Sequence, residues 1–314
     1  MRYLAGIDGG QSSTVAVVVD ETGSVLGRGT AGPCDDVGES PTSERLANNT
    51  SAALLAATAA AGIGGAAPAA VVIGISGFEG RLHGAPPSLG TTIVRFVHDA
   101  PIALAGALAG VPGIVAIAGT GSIAYGVDRF GEEARSGGWG YLFGDDGSAF
   151  GLARAALAAA AIACDRRLPS SLAVEALHYF GERDLRRLVR AIYTGAVSRP
   201  GLAGFGAVVA AAAASGDGEA IPLVEVGARA LAEQVGSVAS ALHFESGIPV
   251  ALVGGMFTNA FVTARVAAFV SEREPRASIE PVRYDPALGA ALLAFDAAGV
   301  ARPAAFREVE SLKA

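Results

Sequence analysis

Residues 3–30 read YLAGIDGGQSSTVAVVVDETGSVLGRGT, and residues 113–138 read GIVAIAGTGSIAYGVDRFGEEARSGG. Each stretch starts with an apolar segment, makes a glycine- and serine-rich turn, continues as a second apolar segment and then reverses at a polar turn, DETG or DRFGE. β-Branched residues such as Val15, Val17 and Val19 favour strands, and the turn residues favour hairpins. Because the design recurs about 110 residues later, we interpret it as an internal duplication.

The rest of the chain mixes further strands with long helices. We expect strands in AAVVIGISG, TTIVRFVHD, IPVALVGGM and SIEPVRY, and helices near 41–61, after Asp99, through most of 145–246 and in DPALGAALLAF. This mixture in two similar halves predicts an α/β protein of two lobes, in which ligands bind at the carboxyl ends of strands, in the crevice between the halves. We assign residues 1–117 to the first lobe, with a final helix at about 288–314 returning to it, and residues 118–287 to the second.

Composition limits the classes of partner. The chain has 314 residues, a net charge of −7 and 51% hydrophobic residues, which argues against a nucleic-acid surface and suits a protein that handles small molecules. Its two cysteines, Cys34 and Cys164, are too far apart in sequence for a metal or redox motif, so we expect reduced thiols. The N-terminus lacks the features of a signal peptide, and the apolar runs are too broken for a membrane span. We therefore expect a cytoplasmic protein with no membrane partner.

Three glycine turns follow apolar segments: DGGQSS at 8–13, GTGS at 119–122 and GGM at 254–256. Glycine lets the backbone approach a ligand closely, and successive N–H groups form an anion site. The only lysine is Lys313, so the chain has no Walker motif, and N–H groups with a metal ion would have to hold any phosphate. GTGSIA also fits a dinucleotide-binding pattern, but a strand and not a helix is expected after it, so we reject that role.

Several motifs together resemble a known family. GIDGGQSST, VHDA, AIAGTGS, GGWGYLFGDDGSAFGLAR, ALVGGMFTN and PALGAALLA are similar to the BadF/BadG/BcrA/BcrD-type ATPases and, within them, to the N-acetylglucosamine kinase-like proteins. The resemblance spans nearly the whole chain, and residues 137–154 are its most specific part. It implies an actin/hexokinase/Hsp70-like (ribonuclease H-like) fold with duplicated domains and a central ATP cleft. It also implies Mg²⁺, phosphoryl transfer from ATP to a sugar hydroxyl, and a homodimer.

The resemblance assigns two carboxylates to the reaction itself. Asp8 matches the residue that holds Mg²⁺ through water, which suits a hard cation that keeps its hydration shell; alternatively, Asp8 caps its own turn. Asp99 matches the base that accepts the proton of the attacking hydroxyl. The alternative for Asp99 is an N-cap of the helix that follows it. We expect His98 to be structural.

The same resemblance implies two sets of binding residues. The residues expected to bind the nucleotide are Gly9, Gly10, Gln11, Ser12, Gly119, Thr120, Gly121, Gly254, Gly255, Met256 and Asn259. Those expected to bind the sugar are Asp35, Asp99, Gly138, Trp139, Gly140 and Asp145. Asp145 would accept hydrogen bonds from sugar hydroxyls, Asp146 would cap the following helix or face solvent, and Trp139 could instead belong to the core.

One position departs from the family pattern. N-acetylglucosamine kinases carry a sugar-contacting asparagine where this chain has Asp35 in GPCDD. An ionised aspartate only accepts hydrogen bonds, so it suits the free ammonium group of glucosamine. The leading interpretation is therefore an ATP-dependent kinase for an amino sugar, acting at the 6-hydroxyl, with glucosamine, N-acetylglucosamine and N-acetylmuramic acid all open.

Two other function classes are less consistent with the sequence. The ATPase activators of radical enzymes carry a cysteine at the GTG turn for an iron–sulfur cluster, and AIAGTGS has none. A nucleotide- or sugar-binding regulator without turnover is the other class, and the presence of Asp99 disfavours it.

Overall fold

The computed structural model describes residues 2–34, 40, 42–64 and 66–308. Its strands are β1 (Tyr3–Gly9), β2 (Thr14–Asp20), β3 (Ser24–Ala31), β4 (Val71–Ile75), β5 (Val94–His98), β6 (Gly113–Ala118), β7 (Ser122–Val127), β8 (Glu133–Gly137), β9 (Ile248–Val253), β10 (Ala277–Glu280) and β11 (Arg307–Glu308). Its helices are α1 (Arg45–Ala60), α2 (Asp99–Ala107), α3 (Ala149–Asp165), α4 (Ser171–Phe180), α5 (Leu185–Tyr193), α6 (Arg199–Ala214), α7 (Ala220–Ala241), α8 (Ala260–Arg273) and α9 (Pro286–Ala297), with a short 3-10 helix at Gly255–Thr258.

The chain divides into two compact units. The first comprises Met1–Val111 and Pro281–Ala314, and the second comprises Pro112–Glu280. Strand β6 pairs with β7 and β9 and so lies wholly in the second unit, whereas the sequence-based boundary at 117/118 assigned it to the first lobe.

The two units contain sheets of the same topology. The sheet of the first unit has the order β11-β3-β2-β1-β4-β5, and that of the second has the order β10-β9-β6-β7-β8. In each, the first three strands form an antiparallel meander, a later strand pairs in parallel with the first strand of the meander, and one more strand pairs in parallel with that later strand. The first sheet also has β11, which pairs in parallel with β3. This is the duplication that the repeated hairpin sequence predicts, and the α/β fold class is confirmed.

Helices cover both faces of the first sheet. Alternate residues of β1 point to opposite faces, as strand geometry requires. Ile7 lies in a core with Ala57 of α1. Leu4 lies in a second core with Ile102 of α2 and Phe295 of α9.

In the second unit, a single apolar core extends from the sheet into the helices. Ile114 and Ala116 of β6 belong to it together with Val235 of α7 and Leu152 of α3. The interpretation of most of 145–246 as helical is confirmed by α3 to α7. Helix α1 begins at Arg45, later than the start near residue 41 that the sequence predicts.

Two further sequence expectations can be compared with the structure. Cys34 is buried, Cys164 is exposed, and neither is in a disulfide. Among the residues that the structure describes, no helix combines the length and apolarity needed to cross a bilayer.

Helix α9 packs directly on the backbone of β1 at Gly6. A methyl group at this position would lie 2.1 Å from the carbonyl oxygen of Ala287 and 2.3 Å from the amide nitrogen of Ala291. Both atoms belong to a helix backbone and cannot move aside as a flexible side chain could. The alanine- and glycine-rich sequence of α9 thus serves a close helix–sheet contact.

We expect Gly6→Ala to lower the free energy of unfolding by about 2 kcal/mol, because it overpacks this contact. Urea unfolding followed by circular dichroism measures the change. Gly64→Ala is the control in the same unit, because a methyl group there would meet no atom within 4 Å. Equal stability of the Gly6→Ala variant and the wild type would contradict the close contact.

Candidate active site

The carboxyl ends of three parallel strands meet at one edge of the first sheet. Strand β4 lies between β1 and β5, with Gly9 opposite Ile75 and Ile75 opposite His98. Neighbouring strands are about 4.8 Å apart, so the turn after β1 and the residue after β5 are separated by two strand spacings. The fold thereby brings the DGG turn and Asp99 to the same edge, although the sequence separates them.

Backbone hydrogen bonds hold the turn between β1 and β2. Gly10 N–H donates to the Ser13 carbonyl at 3.0 Å, which closes the turn. Ser76 N–H donates to the Gly9 carbonyl at 3.0 Å, and Cys34 N–H donates to the Gly10 carbonyl at 3.2 Å. Gln11 is half-buried and Ser12 is exposed at the tip of the turn. The conformation of the turn is therefore set by hydrogen bonds from Ser76 and Cys34 as well as by the bond within the turn.

Asp8, the last residue but one of β1, is in a strongly anionic setting. Burial, together with the smaller effects of the charges of Asp99 and Asp285, raises the pKa of this carboxyl from its ordinary value of 3.8 to about 7. A cation would relieve this repulsion. Within the described part of the chain, no group of three or more histidine, cysteine or acidic side chains is arranged to hold a metal. A single carboxylate fits Mg²⁺, which takes its other ligands from phosphates and water.

Asp99 is the first residue of α2, and its side chain is 32% exposed. The N-cap of α2 is His98, whose Nδ1 accepts from Ala100 N–H at 3.2 Å. The alternative prediction that Asp99 is the N-cap is therefore wrong, because His98 has that position. His98 Nδ1 also lies 2.7 Å from Asp99 Oδ1. His98 is thus structural, as expected, and it borders the carboxylate.

Asp285 is a third carboxylate near Asp8, which the sequence analysis did not single out. It is the N-cap of α9, where its Oδ1 accepts from Leu288 N–H at 2.9 Å. Arg28 Nη1 donates to its other oxygen at 2.7 Å. The Asp-Pro pair before an apolar run signals a helix start, but only the packing of α9 beneath β1 brings this carboxylate near Asp8.

In the second unit, the turn between β6 and β7 joins the start of α3. Gly119 N–H donates to the Gly121 carbonyl at 3.0 Å, which closes the turn. Ala149 N–H, at the start of α3, donates to the Gly119 carbonyl at 2.9 Å, and Phe150 N–H donates to the Thr120 carbonyl at 3.4 Å. The first turn of α3 thus fixes the predicted phosphate-binding turn through two backbone hydrogen bonds.

Two of the three predicted glycine turns are adjacent in this unit. Gly254 has φ +116°, and a methyl group on it would lie 2.4 Å from the Ala118 carbonyl oxygen. Only glycine fits both the conformation and the space. Gly255 begins the short 3-10 helix, where its carbonyl accepts from Thr258 Oγ1 at 2.8 Å.

A largely apolar pocket opens beside this second turn. Its walls include Gly147, Leu223, Gly227, Met256 and Val262. The predicted nucleotide residue Met256 therefore lines a pocket, to which α7 also contributes residues.

Asn259, also predicted to bind nucleotide, is the N-cap of α8. Its Oδ1 accepts from Phe261 N–H at 3.0 Å and from Val262 N–H at 3.3 Å. A nucleotide contact would therefore have to come from its amide nitrogen.

Asp145 is buried, with a left-handed φ of +61° that is uncommon for a residue other than glycine. Its Oδ1 accepts from Ser122 N–H at 3.1 Å, and Arg199 Nη2 lies 3.4 Å from its Oδ2. Burial raises the pKa of this carboxyl; Ser122 N–H and the charges of Arg199 and Arg154 oppose that shift, whereas Asp146 adds to it. Asp145 is thereby tied to the first residue of β7, directly after the glycine turn.

Asp146, the next residue, has a different environment. It is exposed and pairs with Arg154 Nη2 at 2.9 Å. The N-cap of α3 is Ser148, whose Oγ accepts from Gly151 N–H at 3.0 Å. Of the two predictions for Asp146, the solvent-facing one is confirmed and the helix cap is wrong.

The remaining predicted sugar residues precede Asp145. Trp139 is 73% exposed, so the alternative that it belongs to the core is wrong. Gly138 N–H donates to the Ser122 carbonyl at 2.9 Å, and the Gly140 carbonyl accepts from Gly144 N–H at 2.8 Å. These bonds fold the 138–144 segment back towards the β6–β7 turn. Asp35 lies outside the described residues.

Comparison with known proteins places the chain among sugar kinases. It is 29% identical over 303 residues to an N-acetylmuramic acid/N-acetylglucosamine kinase of Clostridium acetobutylicum, covering 94% of this chain and 98% of that protein. It is 28% identical over 322 residues to an N-acetyl-D-glucosamine kinase of Dictyostelium discoideum, with the same coverage.

Two solved structures resemble this chain in fold. A crystal structure from Chromobacterium violaceum, provisionally assigned as an N-acetylglucosamine kinase, matches with a TM-score of 0.75 and 28% identity over 93% of this chain and 99% of that one. A ROK family glucokinase from Streptomyces griseus shares the fold, with a TM-score of 0.60 at 20% identity over 94% of this chain and 99% of that one. The family profile matches residues 5–294, so the chain belongs to the BadF/BadG/BcrA/BcrD ATPase family.

Proposed function

We propose that the protein transfers the γ-phosphoryl group of ATP to the 6-hydroxyl of an amino sugar, either glucosamine or N-acetylglucosamine. The observation that carries this proposal is the approach of Asp8 and Asp99 at one sheet edge, close enough for their charges to interact. A phosphoryl transfer needs a cation ligand and a proton acceptor close together. The two relatives named as kinases of N-acetylated sugars, each similar over 94% of this chain, support the choice of substrate class.

In this proposal, the first unit supplies the chemistry. Asp99 accepts the proton of the sugar hydroxyl as it attacks, and His98 holds the start of α2 so that Asp99 follows the strand end in a fixed position. The turn at Gly9, Gly10, Gln11 and Ser12 contacts phosphate oxygens through N–H groups that the turn itself does not use, since Gly10 N–H donates to the Ser13 carbonyl. Asp8 would hold Mg²⁺ through water. When bound, this ion would offset the charge of the phosphates. The only lysine of the chain is Lys313, at the far end of the sequence, and there is no Walker motif, so N–H groups would otherwise have to hold the phosphates.

The second unit supplies the nucleotide and sugar contacts. Adenine would lie beside the apolar walls formed by Leu223, Gly227 and Met256, in a pocket of about 50 Å³ that would have to widen to admit it. The Gly119–Gly121 turn and Gly254 would contact phosphates. Asp145 would accept hydrogen bonds from two sugar hydroxyls, and a sugar lacking one of them would bind more weakly, because one hydrogen bond to a buried carboxylate would not be made.

The test is sugar-dependent release of ADP. The purified protein is assayed with Mg²⁺-ATP and glucosamine, N-acetylglucosamine, N-acetylmuramic acid or glucose, and ³¹P NMR identifies the phosphorylated position. We expect one of the two proposed sugars to give the highest kcat/KM, with the phosphate on O6. ATP hydrolysis that does not respond to any sugar would contradict the proposal, and preference for N-acetylmuramic acid would change the substrate.

Asp35 is proposed to select the free amine. If a carboxylate at this position pairs with an ammonium group, Asp35→Asn should lower kcat/KM for glucosamine at least about tenfold and spare N-acetylglucosamine, because a charge-assisted hydrogen bond is replaced by a neutral one. The ratio of the two kcat/KM values measures the effect. Asp36→Asn is the control at the neighbouring acid. An unchanged ratio in Asp35→Asn would remove this residue from substrate selection.

A further inference from the structure

Asp145 and Asp146 each form an ion pair with an arginine, and the two ion pairs differ in burial and in length. The Asp146–Arg154 pair is exposed on both sides, with side-chain exposures of 60% and 45%, and its contact of 2.9 Å is a normal ionic hydrogen bond. The Asp145–Arg199 pair has exposures of 4% and 30%, and its contact is 3.4 Å. The buried pair is thus the longer one, although burial strengthens the attraction between charges.

Arg199 is held by aromatic rings as well as by its carboxylate partner. Its guanidinium carbon lies 4.7 Å from the ring centre of Tyr141 and 5.8 Å from that of Phe150, and the two rings are 5.3 Å apart. Such stacking fixes the plane of a guanidinium group. Arg199 is the first residue of α6, so its backbone is also anchored in a helix.

One nitrogen of Arg199 remains unsatisfied. Its Nε is buried and has no hydrogen-bond partner among the residues that the structure describes. A buried donor without a partner costs stability. The guanidinium therefore does not lie where its own hydrogen bonding would be best, and its position serves another requirement.

That requirement is that Asp145 stays ionised and correctly oriented for a ligand. A carboxylate that binds a diol must be negatively charged, must point in one direction and must keep lone pairs for the ligand. Ser122 N–H fixes Oδ1, and a bidentate arginine would occupy the remaining lone pairs of Oδ2. A guanidinium that the aromatic rings hold at 3.4 Å supplies positive charge through one long hydrogen bond to Oδ2 and leaves a second lone pair of that oxygen for a hydroxyl group.

We propose that Arg199 is a positioning residue for the sugar, which acts through Asp145 to keep that carboxylate charged and oriented while leaving Oδ2 open to hydroxyl groups. This inference rests on the proposed function, in which Asp145 binds the sugar. The charged groups that act on Asp145 are Arg199 from α6, Arg154 from α3 and Asp146 beside it. Removal of Arg199 leaves burial and Asp146 to favour the neutral acid.

The test compares Arg199→Met and Arg199→Lys with the control Arg129→Met, in which the replaced arginine also lies over an aromatic ring, Phe130, and pairs with a carboxylate, Glu245. Arg199→Met is expected to raise KM for the sugar about tenfold or more and to leave KM for ATP within about twofold. It should also move the acidic limb of the pH profile of kcat/KM for the sugar to higher pH by about one unit, because an opposite charge near a carboxyl lowers its pKa by about that much. Arg199→Lys keeps the charge, so it should keep the limb near that of the wild type. Arg129→Met should match the wild type in both KM values.

A second readout does not depend on turnover. ¹³C NMR titration of labelled aspartate, with the Asp145 signal assigned by its loss in Asp145→Asn, should show a higher titration midpoint in Arg199→Met than in the wild type. An unchanged midpoint, or equal rises in the KM values for sugar and ATP, would overturn the role of Arg199. If Asp145→Asn leaves sugar KM unchanged while the Arg199→Met midpoint still moves, the coupling stands and the assignment of Asp145 to the sugar fails.

Discussion

Asp99→Asn is expected to lower kcat by about 10²- to 10⁴-fold, the range that a positioned general base contributes. The amide has the shape of the carboxylate but cannot accept the proton of the attacking hydroxyl. KM values for sugar and ATP should stay within about fivefold, because the side chain that caps α2 is His98 and not Asp99. Steady-state ADP release measures kcat, and calorimetric titration with sugar shows that binding persists.

Asp296→Asn is the matched control for this substitution. Asp296 lies on α9 in the same unit and forms an exposed pair with Arg302. Its loss removes one carboxylate from the surface without touching the sheet edge, so kcat should be unchanged. If Asp99→Asn retained more than a tenth of wild-type kcat, the proton acceptor would have to be a different group.

Asp8→Asn is expected to have effects of opposite sign on turnover and on stability. Turnover should fall at least about 10²-fold, because the proposed cation ligand is lost. The metal-free protein should gain about 2 kcal/mol of unfolding free energy at pH 8. The pKa of this carboxyl is about 7 in the folded protein, against an ordinary value of 3.8. At about 1.4 kcal/mol per unit this sets an upper limit near 4 kcal/mol, which solvent around a half-buried group reduces.

The pH dependence of this gain follows from the direction of the shift. The unfolded carboxyl ionises near 3.8, whereas the folded one stays protonated until about pH 7. Between these values the folded state binds more protons, so wild-type stability falls as pH rises, and it levels off above pH 7. Asparagine does not titrate. The advantage of Asp8→Asn should therefore be small below pH 4 and complete above pH 7.

Urea unfolding in EDTA at pH 4, 6 and 8 measures this difference. Asp20→Asn is the control of opposite sign in the same unit. Burial acts to raise the pKa of Asp20, but hydrogen bonds from Thr22 and Ser24 outweigh it and lower the pKa. That carboxylate stabilises the fold above pH 4, so its replacement should destabilise the protein there. A loss of stability in metal-free Asp8→Asn at pH 8 would contradict the conclusion that burial and neighbouring negative charges disfavour the ionised form of Asp8.

Some residues of the candidate site could be predicted from the local sequence, whereas others have contacts that depend on segments distant in the chain. Asp8 and Asp99 could be predicted because each follows an apolar segment, and parallel strands align their carboxyl ends. Gly254 could be predicted because a glycine pair after a strand is a recognisable turn. Asp285 and Arg199 could not be predicted as neighbours of the site, because their contacts depend on how α9 and α6 pack.

Local patterns in the chain were sufficient for the strands, the duplicated hairpin and the glycine turns, because side-chain alternation and turn chemistry act over a few residues. They were not sufficient for the functions of single polar side chains. His98 caps α2 in place of Asp99, Ser148 caps α3 in place of Asp146, and Trp139 is exposed. At each helix start, more than one residue had a side chain able to cap the helix. The choice among them depended on burial and on partners brought in from distant segments, which is a property of the packed molecule.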